Sequence, residues 1–277
     1  MSSTNLTVRH SSPKGRLGNH MFQYAIIKAI SIKYGHKIYW KDLLLSKIFT
    51  GIKDESKVVG SNELIISEPE SGGTRYHEIN DNIKTRNVCV DGYRQSWKYF
   101  EDINDELKID FSFHQDIEHD VKKILDPIKN SNKDKQLVII QVRRDDYLKY
   151  PGYLSPTKEN IINGINYMKS KYDAIFIFVS DGIKWCKENF SSIENTYFSE
   201  GHSDAFDMCL IKNSDHGLIS SSTFGWWGMY LNTNEKKEFF GLSEYWFDPK
   251  YPKMGNRDTT GLLLPGFKLG IPTETIM

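Results

Sequence analysis

Two adjacent arginines follow directly on an apolar run in Gln141-Val142-Arg143-Arg144-Asp145-Asp146-Tyr147. If that run is a strand of a parallel sheet, the guanidiniums emerge at its carboxyl end, where ligands bind in open α/β sheets. Their forked donors match phosphate oxygens, and two side by side suit a diphosphate. The plainer reading pairs Arg143 and Arg144 with Asp145, Asp146 or another surface carboxylate. Asp145-Asp146 would alternatively hold a divalent metal bridging the phosphates, although two arginines neutralise a diphosphate without one.

Three further segments have matching chemistry. Gly15-Arg16-Leu17-Gly18-Asn19-His20 places glycines at the start of a helix, where free N–H groups and the positive dipole end favour an anion. A structural turn feeding a helix is the alternative, and His20 is either a general base or simply a hydrogen-bonded side chain. Ser220-Ser221-Ser222-Thr223-Phe224-Gly225-Trp226-Trp227 runs from a strand end through hydroxyls into an aromatic helix. The hydroxyls suit phosphate or sugar oxygens and the indoles a sugar face, against helix capping and core packing. Val179-Ser180-Asp181 is another strand terminus, where an acid meets a ribose or base, or caps a helix.

These groups matter only if elements position them. Leu6 to His10 predicts a strand, followed by the glycine loop and a helix with Phe22, Ala25, Ile26, Ala29, Ile30 and Tyr34 on its apolar positions. Gly35 ends that helix, and 37–40 and 88–93 predict further strands, while 53–87 has too little periodicity to assign. The stretch 95–135 reads as mostly charged helix, and Asn130-Ser131-Asn132-Lys133-Asp134-Lys135 as a linker. The predicted organisation is therefore an N-terminal lobe, 1–132, and a C-terminal lobe, 133–277. Strands over 137–142, 174–179, 195–198 and 217–219 alternate with helices over 156–172, 183–190, 204–213 and through 226–231, a parallel α/β pattern. Ser155-Pro156 is the expected start of the first of these helices.

Composition narrows the function classes. The 277 residues carry 36 Lys and Arg against 36 Asp and Glu, so no overall field gathers nucleic acid or an anionic bilayer. The longest apolar run, Ala174 to Val179, is far short of the roughly 20 residues that span a bilayer. The polar start, Met1 to Leu17, is not a signal peptide. As it stands the chain reads as cytoplasmic, with a Golgi-lumen origin and a missing anchor as the alternative. The sequons at Asn5 and Asn189 bear only on the latter. Three scattered cysteines, Cys89, Cys186 and Cys209, read as reduced and buried. No Ser-His-Asp order, H-E-x-x-H, Walker loop or C-x-x-C appears.

Taken together the motifs resemble those of the α-1,2-fucosyltransferase family. Gly15 to Ala25 is similar to that family's G-x-L-G-N-Q-M-x-Q-Y-A, and Gly92-Tyr93-Arg94-Gln95-Ser96-Trp97-Lys98-Tyr99-Phe100 to G-Y-x-Q-S-x-x-Y-F. Gln141 to Asp146 resembles H-x-R-R-x-D. Phe178-Val179-Ser180-Asp181 with Trp185-Cys186, and Ser222 to Trp227, match the later motifs in order. The resemblance runs from about residue 15 to 232, with a fainter echo at Leu263 to Ile271.

The resemblance implies a GT-B fold, two Rossmann-like lobes facing a cleft. It implies GDP-fucose as donor, a terminal β-galactoside glycan whose 2-hydroxyl attacks the fucose anomeric carbon with inversion, and neither metal nor other cofactor. Carried over by position, Arg143 and Arg144 contact the diphosphate, and one of them is the main transition-state stabiliser. Asp181 lies near the nucleoside, Asp207 supports the donor, and Ser222 and Thr223 contact the β-phosphate. Arg16, Gly18 and Asn19 reach the reaction centre from the first lobe. The general base is Asp146 or His20. Two departures stand out: Gln141 replaces the motif's His and Asp145 its small Gly, which removes a possible imidazolium and adds a carboxylate near the phosphates. These departures motivate the competing expectation of a non-catalytic glycan- or nucleotide-binding module.

Overall fold

The computed structural model describes residues 6–55, 63–69 and 73–272. In chain order the elements are β1 (Thr7–His10), α1 (Leu17–Tyr34), β2 (Lys37–Tyr39), α2 (Leu43–Ser46), β3 (Leu64–Ile66), β4 (Val88–Val90), α3 (Asn104–Asp110), α4 (Gln115–Ser131), β5 (Gln136–Val142), α5 (Lys158–Lys171), β6 (Ala174–Ser180), α6 (Ile183–Phe190), β7 (Thr196–Phe198), α7 (Asp204–Lys212), β8 (His216–Ile219), α8 (Thr223–Leu231), β9 (Phe239–Gly241) and α9 (Pro252–Gly255). The sequon at Asn5 lies outside the described residues. No described helix is long and apolar enough to cross a membrane. All three cysteines are free and buried, and burial pushes the Cys186 and Cys209 thiols up to about 11 and about 12.

The chain divides into two compact units, residues 1–114 with 258–264, and 115–257 with 265–277. The division precedes α4 instead of falling in the polar stretch 130–135. The reason is packing: Val121, Leu125 and Ile128 are buried along one face of α4, and Glu118 pairs with Lys212 of α7. The return of 258–264 to the first unit is also physical. Thr74 Oγ1 donates to the Asp258 carbonyl at 2.6 Å, and Trp97 Nε1 donates to the Leu263 carbonyl at 2.9 Å.

The first unit has a parallel sheet of order β2-β1-β4-β3. Strand β3 lies in the segment whose sequence has no clear periodicity, and its three residues gain strand geometry only by pairing with β4. Helix α1 buries Met21, Phe22, Ala25 and Ile26 completely. Gly35 ends it in the left-handed conformation, as expected.

The second unit has a parallel sheet of order β7-β6-β5-β8-β9. Strands β5 and β6 are buried over nearly their whole length, which their continuous apolar runs require. Each such side chain contributes about 1.5–3 kcal/mol on burial, so this pair anchors the unit. Helix α5 begins later than the sequence suggests. Its cap is Thr157 in a reciprocal capping box with Asn160, so Pro156 sits before the cap. Strand β9, which the sequence reading did not anticipate, closes the edge beside β8.

The second sheet reverses its winding order between β5 and β8: β6 and β7 follow on one side and β9 on the other. Connections leave in opposite directions at this point, so the sheet opens a crevice at its carboxyl edge. In the first sheet β1 and β4 are neighbours, so the segments that follow them start from one carboxyl edge.

Helices α7 and α8 pack closely enough to require a glycine. A Cβ on Gly228 would meet Ile211 Cγ2 at 2.6 Å inside a buried layer. Gly228→Val is expected to destabilise the protein by about 1–3 kcal/mol, read as a lower denaturant midpoint at unchanged slope.

Candidate active site

At the β5/β8 reversal, three strand ends converge. The Ser220 hydroxyl donates to the Gln141 carbonyl at 3.0 Å and accepts from the Arg143 N–H at 2.8 Å. The chain leaving β5 is thereby tied to the chain leaving β8. From the other neighbour, Asp181 at the end of β6 accepts the Arg144 N–H at 2.8 Å. The two arginines therefore start from a backbone fixed on both sides.

Their side chains differ in environment. Arg143, 15 % exposed, is bracketed by Asp146 (Nη2 to Oδ2, 2.5 Å) and Asp181 (Nη1 to Oδ2, 3.2 Å). Burial disfavours its charge, but these two carboxylates hold the guanidinium protonated. The Arg144 guanidinium carbon lies 3.7 Å from the centroid of the Trp185 ring, a cation–π contact that orients it. Burial raises the Asp181 carboxyl above the usual range, partly offset by Arg143 and the Arg144 N–H.

The hydroxyl turn after β8 is held from several sides. Tyr147 donates its hydroxyl to the Ser221 carbonyl at 3.0 Å, and the Ser221 hydroxyl donates to the Tyr245 carbonyl at 2.9 Å. Ser222 caps α8, accepting the Gly225 N–H, and Thr223 is the first helical residue. The turn thus brings an amide-rich helix start to the strand end from which Arg143 and Arg144 leave, residue types suited to phosphate oxygens. Trp226 and Trp227 are fully buried and pack edge to face at 5.0 Å. They form core instead of a sugar platform.

Asp207 stands apart from this cluster. It lies on α7 and accepts from the Ser199 hydroxyl at 2.5 Å, joining α7 to the end of β7. Among the described residues no group of three or more His, Cys, Asp or Glu has metal-binding geometry.

At the carboxyl edge of the first sheet several ties are neutral. Gly15 takes φ +88°, and a Cβ there would strike Asn19 Nδ2. Buried Gln23 grips the loop through Lys14, accepting its N–H at 2.9 Å and donating to its carbonyl at 2.8 Å. Asn19 Oδ1 accepts from Gln95 Nε2 at 2.8 Å, linking the segments that follow β1 and β4. Arg16 occupies the N-cap position of α1, and Gly18 is buried in its first turn. His20 Nδ1 meets Asp42 Oδ2 at 2.6 Å. Burial would raise the Asp42 carboxyl, but the His20 bond and the Leu44 N–H outweigh it and lower it. An imidazole held by a carboxylate at Nδ1 keeps Nε2 as the proton-accepting nitrogen.

Several residues that build these edges carry no sequence-derived role. Buried Arg94, at φ +52°, donates to the Ile66 carbonyl at 2.7 Å and the Asp91 carbonyl at 3.0 Å. Glu68 accepts the N–H groups of Tyr93 and Arg94 at 3.1 and 2.7 Å. Together they shape the segment that presents Gln95. Arg94 lies within a recognisable motif and Tyr147 directly follows one, whereas Glu68 has no local signal.

Asp207 gives a pH test. Burial pushes its carboxyl up to about 6 from 3.8, so the fold favours the protonated form. Its stabilising effect is fully present below about pH 4 and is lost as the pH rises through about 6. Asp207→Asn is expected to flatten this part of the stability–pH curve, by on the order of 2 kcal/mol between pH 4 and 7, measured by urea unfolding at stepped pH.

Residues 3–240 match the sequence profile of Glycosyl transferase family 11. The chain is 29 % identical over 254 residues to an alpha-1,2-colitosyltransferase of Escherichia coli, covering 78 % of this chain and 85 % of that protein. It is 22 % identical over 242 residues to galactoside alpha-(1,2)-fucosyltransferase 1 of Homo sapiens, covering 79 % of this chain but only 64 % of that relative. Among solved structures it is similar to the fucosyltransferase NodZ from Bradyrhizobium (TM-score 0.57, 10 % identity, 81 % of this chain and 92 % of that one). It also resembles the Arabidopsis thaliana FUT1 R284K variant in complex with GDP (TM-score 0.53, 14 % identity, 87 % and 72 %). Two parallel α/β units and these neighbours define a GT-B type fold, and the chain belongs to glycosyltransferase family 11, the α-1,2-fucosyltransferase family.

Proposed function

We propose that the protein transfers L-fucose from GDP-fucose to the 2-hydroxyl of a terminal β-galactoside, with inversion and without a metal. The observation carrying this reading is that two adjacent arginines leave β5 where its chain is tied to the hydroxyl turn that starts α8. The acceptor oxygen attacks the fucose anomeric carbon as the bond to the β-phosphate oxygen breaks, and the electron pair of that bond passes to GDP. Arg143 and Arg144, with Thr223, Ser222 and the amides of the turn, stabilise the charge that builds there. A diphosphate competes with Asp146 and Asp181 for Arg143, so binding exchanges one anionic partner for another. Asp181 is assigned to the nucleoside side and Asp207 to support of the donor. Arg16, Gly18 and Asn19 of the first unit are assigned to the donor and the reaction centre by family likeness.

The hydroxyl proton passes to a base, for which Asp146 and His20 are the candidates. Asp146 is paired to Arg143. His20 is oriented by Asp42. The similarity to a colitosyltransferase favours one second reading, a colitosyl group in place of fucosyl at the same site.

GDP release should require both donor and a β-galactoside such as lactose, and persist in chelator. Arg143→Ala or Arg144→Ala should lower turnover about 100-fold or more, and Arg16→Ala should lower kcat/KM. Absence of acceptor-dependent release across β-galactosides would refute the reading. Loss in chelator reversed by a divalent cation would refute the metal-free mechanism. Turnover with a colitosyl donor but not with GDP-fucose would select the second reading.

A further inference from the structure

Gln141 stands where the family motif has histidine, and its surroundings give it a definite task. It is 3 % exposed, in β5 next to the reversal. Its side-chain Oε1 accepts from the Ser220 N–H at 3.2 Å and from the Ser222 hydroxyl at 3.4 Å. Ser222 in turn accepts the Gly225 N–H at 3.4 Å, so its proton faces Gln141 and its lone pair faces the first turn of α8. The Ser220 N–H is an obligate donor, which fixes the amide with its oxygen toward the turn. Gly225 leaves room for this arrangement: a Cβ there would lie 2.6 Å from Gln141 Oε1.

We propose that Gln141 is a positioning residue that clamps the Ser220–Ser222 turn and thereby sets the affinity of the site for diphosphate; this rests on the transferase reading above. The backbone carbonyl of Gln141 already receives the Ser220 N–H and hydroxyl, each at 3.0 Å. The side chain extends that stitch two residues further, to the cap of α8. Without it the Ser222 hydroxyl loses its acceptor and the cap loses its fixed rotamer, and the amides at the start of α8 lose their aim. A neutral amide does this without adding a negative charge beside an anionic ligand, as a carboxylate would. The change from the motif's histidine therefore keeps an acceptor at the anchoring position and is compatible with an active site.

The test measures GDP and guanosine affinities by calorimetry, and amide hydrogen exchange, for the wild type and for Gln141→Leu, Gln141→Met and Gln141→His. The apolar variants should bind GDP about tenfold more weakly, with guanosine affinity held within about twofold. Exchange at Ser220 and Gly225 should accelerate. Gln141→His, with an imidazole nitrogen as acceptor, should recover most of the GDP affinity. Parallel losses for GDP and guanosine would overturn the proposal, because they report general distortion. So would GDP affinity and exchange unchanged in both apolar variants. If Leu unfolds the protein, Met, which nearly conserves volume, decides. Wild type that binds no GDP would overturn the transferase reading instead, and the exchange at Ser220 and Gly225 would then decide the clamp alone.

Discussion

The second unit depends on the immobility of β5. It lies in the middle of its sheet, paired along its length to β6 and over Val138–Gln141 to β8, and its apolar side chains are shielded on both faces. A strand held in this way cannot shift register without breaking its ladders to both neighbours and repacking both covered faces at once. Whatever leaves its carboxyl end is therefore placed with the precision of the core. The ties from Ser220 to the Gln141 carbonyl and the Arg143 N–H, and from the Arg144 N–H to Asp181, extend that rigidity past the last ladder bond. Two long, flexible side chains thus begin from a fixed base, which reduces the entropy lost when they engage a ligand.

The carboxyl edges of the two sheets are stabilised in different ways. In the second unit, the guanidinium of Arg143 is buried between two carboxylates, which is tolerable only because the charges are paired. Such a site suits an anionic ligand, since a diphosphate can take over from the carboxylates with the cation still compensated. In the first unit the ties are amide to backbone at Gln23 and amide to amide at Asn19 and Gln95. They fix geometry with little charge and depend little on salt or pH. Charge enters there through Lys14 and Asp91, 3.1 Å apart, and His20, held by Asp42, sits next to Asn19 in sequence.

The family was legible in the sequence because its motifs are local. Arg143-Arg144 after an apolar run, Gly15 to Ala25 and Ser222 to Trp227 each occupy one stretch of chain. Most of the alternating strands and helices were legible too, since their apolar runs and the glycine after α1 are local signals. Two of the three-residue strands were not. Leu64–Ile66 and Phe239–Gly241 become strands only through the neighbours they pair with. The linker reading of 130–135 had the same weakness: polar composition marks a turn as readily as a boundary, and the side on which α4 packs depends on residues far along the chain.

By itself, then, the sequence determined the class of fold, the family and the residue types suited to an anionic ligand, because these rest on periodicity and contiguous motifs. Tertiary structure decided which of those groups are engaged and with what. It set Arg143 between Asp146 and Asp181, laid Arg144 on Trp185, put Trp226 and Trp227 in the core and turned the Gln141 amide toward Ser220 and Ser222. Apart from the Arg143–Asp146 pair, which is three residues apart, each of these depends on contacts between separate elements, most of them at separate strand ends. Such contacts exist only once parallel strands bring their carboxyl ends to one edge, and no window of local sequence contains them.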